Sequence, residues 1–123
     1  MPFSDPYHRL ADIYESIVAV ESFVGGMTFE EFCAEEKTVA AVERKLSVIS
    51  EAAVRLGETG PTLCPEIPWR DVRGIGNWLR HQYHRVDSET IWTTVERDLP
   101  AMKSFVFQVL ERERKRTQSA TSE

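Results

Sequence analysis

The chain has little cysteine. Cys33 and Cys64 are its two cysteines, and they match neither a CxxC pair nor a zinc-site spacing. Buried or idle thiols in a reducing compartment are therefore expected. Long apolar runs are also lacking. No window approaches the roughly 18 residues of a membrane span, and "MPFSDPYHRL" lacks the apolar core of a signal peptide. A cytoplasmic protein is expected. Positive charge is not in excess, since the net charge is −5. A protein that coats long nucleic acid is normally basic overall, so any nucleic-acid contact must be local, short or transient. Sustained period-two alternation, internal repeats and interior low-complexity linkers are missing as well. That removes the main signal for strands and for a repeat architecture.

What remains is helical patterning. With 123 residues the chain fits one compact domain. Ser4 or Asp5 can cap a first helix, with Pro6 at its first position. Leu10, Ile13, Ile17, Val20 and Val24 give that helix one apolar stripe, and Gly25 and Gly26 stop it. Thr28 and Glu31 form a capping-box pattern for a short helix, which Met27, Phe29 and Phe32 fold onto the core. A long helix follows from about Glu36 to Leu56. Its seam is Val39, Val42, Leu46, Ile49, Ala53 and Leu56, and Gly57 ends it. "GETGPTLCPEIP" reads as the longest loop. Trp69 to about Tyr83 is a fourth helix, burying Trp69, Val72, Ile75 and Leu79. Asp87 or Ser88 caps another, which Pro100 kinks or restarts and which carries Met102, Phe105, Val106, Val109 and Leu110. The expectation is an all-α, antiparallel bundle of four main helices with an additional short helix. One domain covers residues 1–115, and 116–123 form a polar tail that frays.

The segment "RGIGNWLRHQYHRVD", residues 73–87, stands out in an acidic protein. On a helix Arg73, Asn77, Arg80, His81 and His84 make one polar stripe. A solvated face with routine charges is the plain alternative. Arginine beside histidine without interleaved Glu or Lys is unusual for such a face. Gly74 and Gly76 also weaken the helix, as glycine does where a backbone or ligand comes close. The chemistry suggested is acid–base work on a phosphodiester. Histidine titrates near neutrality, and arginine braces charge developing on a phosphoryl group. The ribose 2′-OH of RNA would be the nucleophile. No acidic third ligand lies beside His81 and His84, so no metal site is expected, and no cofactor. "GIG" at 74–76 follows no strand and is no nucleotide fingerprint. His8 reads as a surface residue, Glu30, Glu31, Glu35 and Glu36 as a solvated face. Trp69, Trp78 and Trp92 read as core or dimer interface.

Over about Arg9 to Leu110 the chain resembles the HepT-like toxins of the HEPN superfamily. The resemblance is carried by "MTFEEFCAEEKTVAAVERKLSVISEAAVRL" and "PEIPWRDVRGIGNWLRHQYHRVDSETIWTTVERDLP". It implies a HEPN-like helical domain and a homodimeric, metal-independent endoribonuclease in a type VII-like toxin–antitoxin pair. The family signature is an arginine, commonly with a polar residue after it, and then His-X-Tyr. His81 falls on its histidine, Asn77 on its polar residue and Tyr83 on its tyrosine. The resemblance further implies that Tyr83 accepts AMP from a nucleotidyltransferase antitoxin. At the arginine the chain departs from the pattern, because Gly76, Ile75 and Gly74 occupy the family's positions. Arg73 or Arg80 then substitutes, and His84 and Arg85 add contacts to RNA. The alternative is a catalytically degenerate HEPN protein, a binding partner and AMP acceptor of the nucleotidyltransferase. A plain helical-bundle adaptor is a third reading.

Overall fold

The computed structural model describes residues 5–81 and 87–122. Its order is α1 (Asp5–Val24), α2 (Phe29–Ala34), α3 (Glu36–Leu56), α4 (Thr59–Leu63), α5 (Trp69–His81) and α6 (Ser88–Thr93). A π-helical stretch (Thr94–Asp98) and α7 (Leu99–Ser122) complete it. There is no strand among the described residues, so the fold is an all-α, HEPN-like bundle.

The apolar stripes became the core. Leu10, Ile13, Ile17 and Val20 of α1 are fully buried, as are Val42, Leu46 and Ile49 of α3. α3 packs against both α1 and α5, and α1 against α7. α3 is thereby the scaffold on which α5 lies. The Thr28–Glu31 capping box is present in both directions. The Glu31 N–H donates to Thr28 Oγ1 at 3.2 Å and the Thr28 N–H to Glu31 Oε1 at 2.8 Å. α2 then seats Phe32 in the core, and Phe29 and Phe32 meet the Trp92 ring at centroid distances of 6.0 and 5.2 Å.

One expectation is corrected and another is borne out. The stretch expected to be a loop contains α4, so there are two short helices before α5. Trp69, fixed by its indole N–H donating to the Cys64 carbonyl at 2.8 Å, packs against Gly60 of α4. As expected at Pro100, the last helix is interrupted: a π stretch ends just before it and α7 restarts at Leu99. Proline has no N–H to offer and its ring crowds the carbonyl four residues back, so the wider turns leave room for it. The residues expected to form a polar tail are helical as far as Ser122, where α7 ends. Arg114 grips Glu111 at 2.8 and 2.9 Å and Arg116 grips Glu113 at 2.7 and 2.8 Å, each with both carboxylate oxygens. These (i, i+3) pairs reinforce a segment of good helix formers.

Candidate functional site

Between Arg73 and Gly76 one hydroxyl of α3 bridges two backbone groups of α5. Ser50 Oγ donates to the Arg73 carbonyl at 2.9 Å and accepts the Gly76 N–H at 2.9 Å. A Cβ at residue 76 would lie 3.0 Å from that oxygen. Gly76 therefore serves the approach of α3 within the chain. Gly74 differs, since a Cβ there would meet nothing within 4 Å.

The two candidate arginines diverge. Arg73 is half-buried, and its Nη2 donates to the Gly57 carbonyl at 2.8 Å. Gly57 closes α3 with φ +52°, and its carbonyl belongs to the helix end where a cation is favoured. Arg73 Nε is buried without a hydrogen-bond partner among the described residues. The guanidinium is thus committed to the end of α3. Arg73 also lies about 12 Å along the axis from His81, at ~1.5 Å per residue. Arg80 is exposed and has no ion-pair partner among the described residues. Its Nη1 lies 3.4 Å from where a Cβ at residue 76 would be. The guanidinium of Arg80 thus folds back one turn, into the space a side chain at position 76 would enter. That is one of the positions where the family signature carries its arginine.

Asn77 is exposed on the next step of the helix. His81 is the last residue of α5, and its side chain lies outside the described residues, as do Tyr83, His84 and Arg85. Asp87 caps the next helix. Its carboxylate accepts the Glu89 N–H at 3.0 Å and the Thr90 hydroxyl at 2.9 Å. Among the described residues no three His, Cys, Asp or Glu side chains group as metal ligands, and no helix is long and apolar enough to cross a membrane. Both cysteines are free thiols. Cys33 is exposed, while burial and the neighbouring Glu66 push the Cys64 thiol up to about 11.

Beside the polar stripe runs a cleft of about 490 Å³ between α5 and the α6–α7 rod. Val72, Ile75 and Met102 form its apolar lining, and Arg70, Asp71, Trp78 and Asp98 its aromatic and charged part. Sequence reasoning assigned Trp78 to core or interface and passed over Asp98. The π stretch that carries Asp98 has no simple periodic signature.

The family model described as ribonuclease HepT-like matches residues 13–109. The chain belongs to the HepT-like ribonuclease family. Similar proteins include "Probable ribonuclease HepT" of Thermococcus cleftensis, 39% identical over 76% of this chain and 86% of that protein. "Putative RNase MJ0127" of Methanocaldococcus jannaschii is 36% identical over 81% of this chain and 83% of its own. "Putative RNase TTE0752" of Caldanaerobacter subterraneus is 29% identical over 74% and 81%. No solved structure matches the chain significantly. The matched span of this HepT-like chain runs from α1 into α7 and includes the whole of α5.

Proposed function

We propose that this HepT-like protein is an endoribonuclease toxin that cleaves RNA without a metal and acts as a homodimer. The observation that carries the reading is the Arg80 guanidinium, folded over Gly76 beside the exposed Asn77. It supplies a cation with no ion-pair partner among the described residues, where the family arginine would begin. In the proposed reaction His81 takes the proton of a ribose 2′-OH, and the 2′-oxygen attacks the adjacent phosphorus. The bond to the 5′-oxygen breaks, and that oxygen leaves with a proton from the second His81 of the dimer. The products are a 2′,3′-cyclic phosphate and a 5′-hydroxyl. Arg80 offsets the charge gathering on the non-bridging oxygens, and Asn77 orients the phosphate. Across a dimer Arg73 reaches the site only by leaving the Gly57 carbonyl, so Arg80 is the better candidate.

Regulation belongs to the same proposal. A nucleotidyltransferase antitoxin would transfer AMP to the Tyr83 phenol, with pyrophosphate leaving from ATP. The added negative charge beside the arginines would repel RNA phosphate. His84 and Arg85 would add contacts to RNA. The test is RNA cleavage by purified protein carrying no AMP, with His81→Ala as the comparison. Cleavage lost in the variant supports the reading, and equal cleavage by both removes it.

A second reading is favoured by Gly76 itself. The position where a signature arginine could stand is packed against Ser50 and has no side chain. In that reading the protein is a degenerate partner that binds the nucleotidyltransferase and accepts AMP at Tyr83. AMP transfer to a protein that cleaves no RNA would select it.

A further inference from the structure

We infer that the cleft between α5 and the α6–α7 rod is a nucleobase subsite, which takes a base next to the scissile phosphate and prefers one with an exocyclic amine. The identity of the occupant rests on the ribonuclease reading. The cleft, of about 490 Å³, falls in the ordinary range of small-molecule sites. Val72, Ile75 and Met102 are buried and give it an apolar lining, and the half-buried Trp78 gives it an aromatic face. A base stacks on such a face whatever its sequence identity.

The polar part of the lining selects by charge. Asp71 and Asp98 are exposed carboxylates, acceptor-only when ionised. Arg70 is also in the lining, so the two carboxylates outnumber its one cation; the cleft is net acidic and favours the uncharged end of the nucleotide, with the phosphate held on the stripe on which Arg80 stands. Carboxylates pair with N–H donors. Cytosine and adenine each offer an amine, guanine offers an amine beside a ring N–H, and uracil offers no amine. Guanine is therefore the expected first choice and uracil the poorest.

Position links the cleft to the stripe. Trp78 follows Asn77 directly and precedes His81 by three residues on α5. Gly74 lines the cleft and stands three residues before Asn77, with open space where its side chain would be. No side chain at position 74 therefore fills the edge of the cleft nearest Asn77 in sequence. The π-helical stretch is a second sign, because such irregularities concentrate at functional sites. It contributes Thr94 and Asp98 to this lining.

The test is calorimetric titration of the full chain with guanosine and uridine 5′-monophosphate, with RNA cleavage assayed on the same preparation. Wild type should bind the guanosine nucleotide about tenfold or more tightly than the uridine one. Trp78→Ala should weaken binding by about tenfold, and Asp98→Asn should reduce the preference. Gly74→Leu should remove binding while leaving the fold at least as stable, since the open position and better helix propensity favour leucine. Binding that ignores the base, or that Gly74→Leu and Trp78→Ala leave unchanged, overturns the inference even if RNA is cleaved. Gly74→Leu that turns a dimer into a monomer without altering nucleotide binding overturns it too, and marks an interface between copies. Amine-selective binding with no cleavage of any RNA upholds the subsite and sinks the ribonuclease reading instead.

Discussion

An arginine is long enough to choose between solvent and a neighbouring helix end, and on α5 Arg73 and Arg80 choose differently. Arg73 donates to the carbonyl of Gly57 at the end of α3, while Arg80 lies exposed over Gly76. Their substitutions should therefore separate. Arg73→Ala removes a charged donor from that carbonyl, and stability should fall by about 1.5–3 kcal/mol, read as a lower midpoint in urea. Arg80→Ala touches no packed group, so stability should stay within about 0.5 kcal/mol while cleavage falls at least tenfold. A loss of stability for Arg80→Ala matching that of Arg73→Ala would refute the division. The sequence placed both arginines on one polar stripe. It could not tell them apart, because that depends on where α3 ends in space.

At the scale of elements, apolar spacing was enough to place α1, α3 and α5, since a stripe repeating every three or four residues has one use in a small bundle. The capping box at Thr28 was legible for the same reason, as local chemistry. α4 was not, because a five-residue helix among glycines and prolines has no periodicity and depends on the Trp69 ring packed on Gly60. Of the two glycines of α5, Gly76 was legible as a signal of close approach but not as to what approaches, while Gly74 has open space around it. Gly76 faces Ser50, whose hydroxyl is held by two 2.9 Å bonds and has little room to yield. Gly76→Ala should thus cost about 1–3 kcal/mol from overpacking, whereas Gly74→Ala should be neutral or gain up to about 1 kcal/mol. Thermal melting of both variants reads the contrast directly, and equal effects would mean that Ser50 does not pin α5. The end of α7 has its own prediction. Hydrogen bonds from Arg114 and Arg116 hold the carboxyls of Glu111 and Glu113 below their ordinary value of 4.5. A depressed folded-state value stabilises the helix at pH above 4.5 and ceases to do so as the pH falls through it. Amide exchange after Glu111 should accelerate near pH 3 relative to pH 6, beyond the intrinsic change. Uniform protection at both would show that the pairs add nothing.

Across the whole molecule the acidic balance and the local cluster are compatible. The net charge of −5 discourages binding along nucleic acid, and α5 leaves Arg80 exposed where one phosphate would be held. The homodimer expected from the resemblance would bring two such helices together. Light scattering at micromolar concentration should return twice the 14.1 kDa chain mass, and a monomer would leave the paired histidines without a geometry. The family was legible from the segments "MTFEEFCAEEKTVAAVERKLSVISEAAVRL" and "PEIPWRDVRGIGNWLRHQYHRVDSETIWTTVERDLP" in that order. Whether its chemistry survives without an arginine at position 76 turns on one side chain reaching back along a helix. The most direct measurement is single-turnover cleavage of RNA, with chelator present, by protein freed of AMP and of any partner. Wild type, Arg80→Ala and His81→Ala are compared. The account predicts a 2′,3′-cyclic phosphate product from wild type, a rate lower by about 10²- to 10⁴-fold for His81→Ala, and a crippled Arg80→Ala. Cleavage by His81→Ala at the wild-type rate, or no cleavage by the wild type itself, would contradict it.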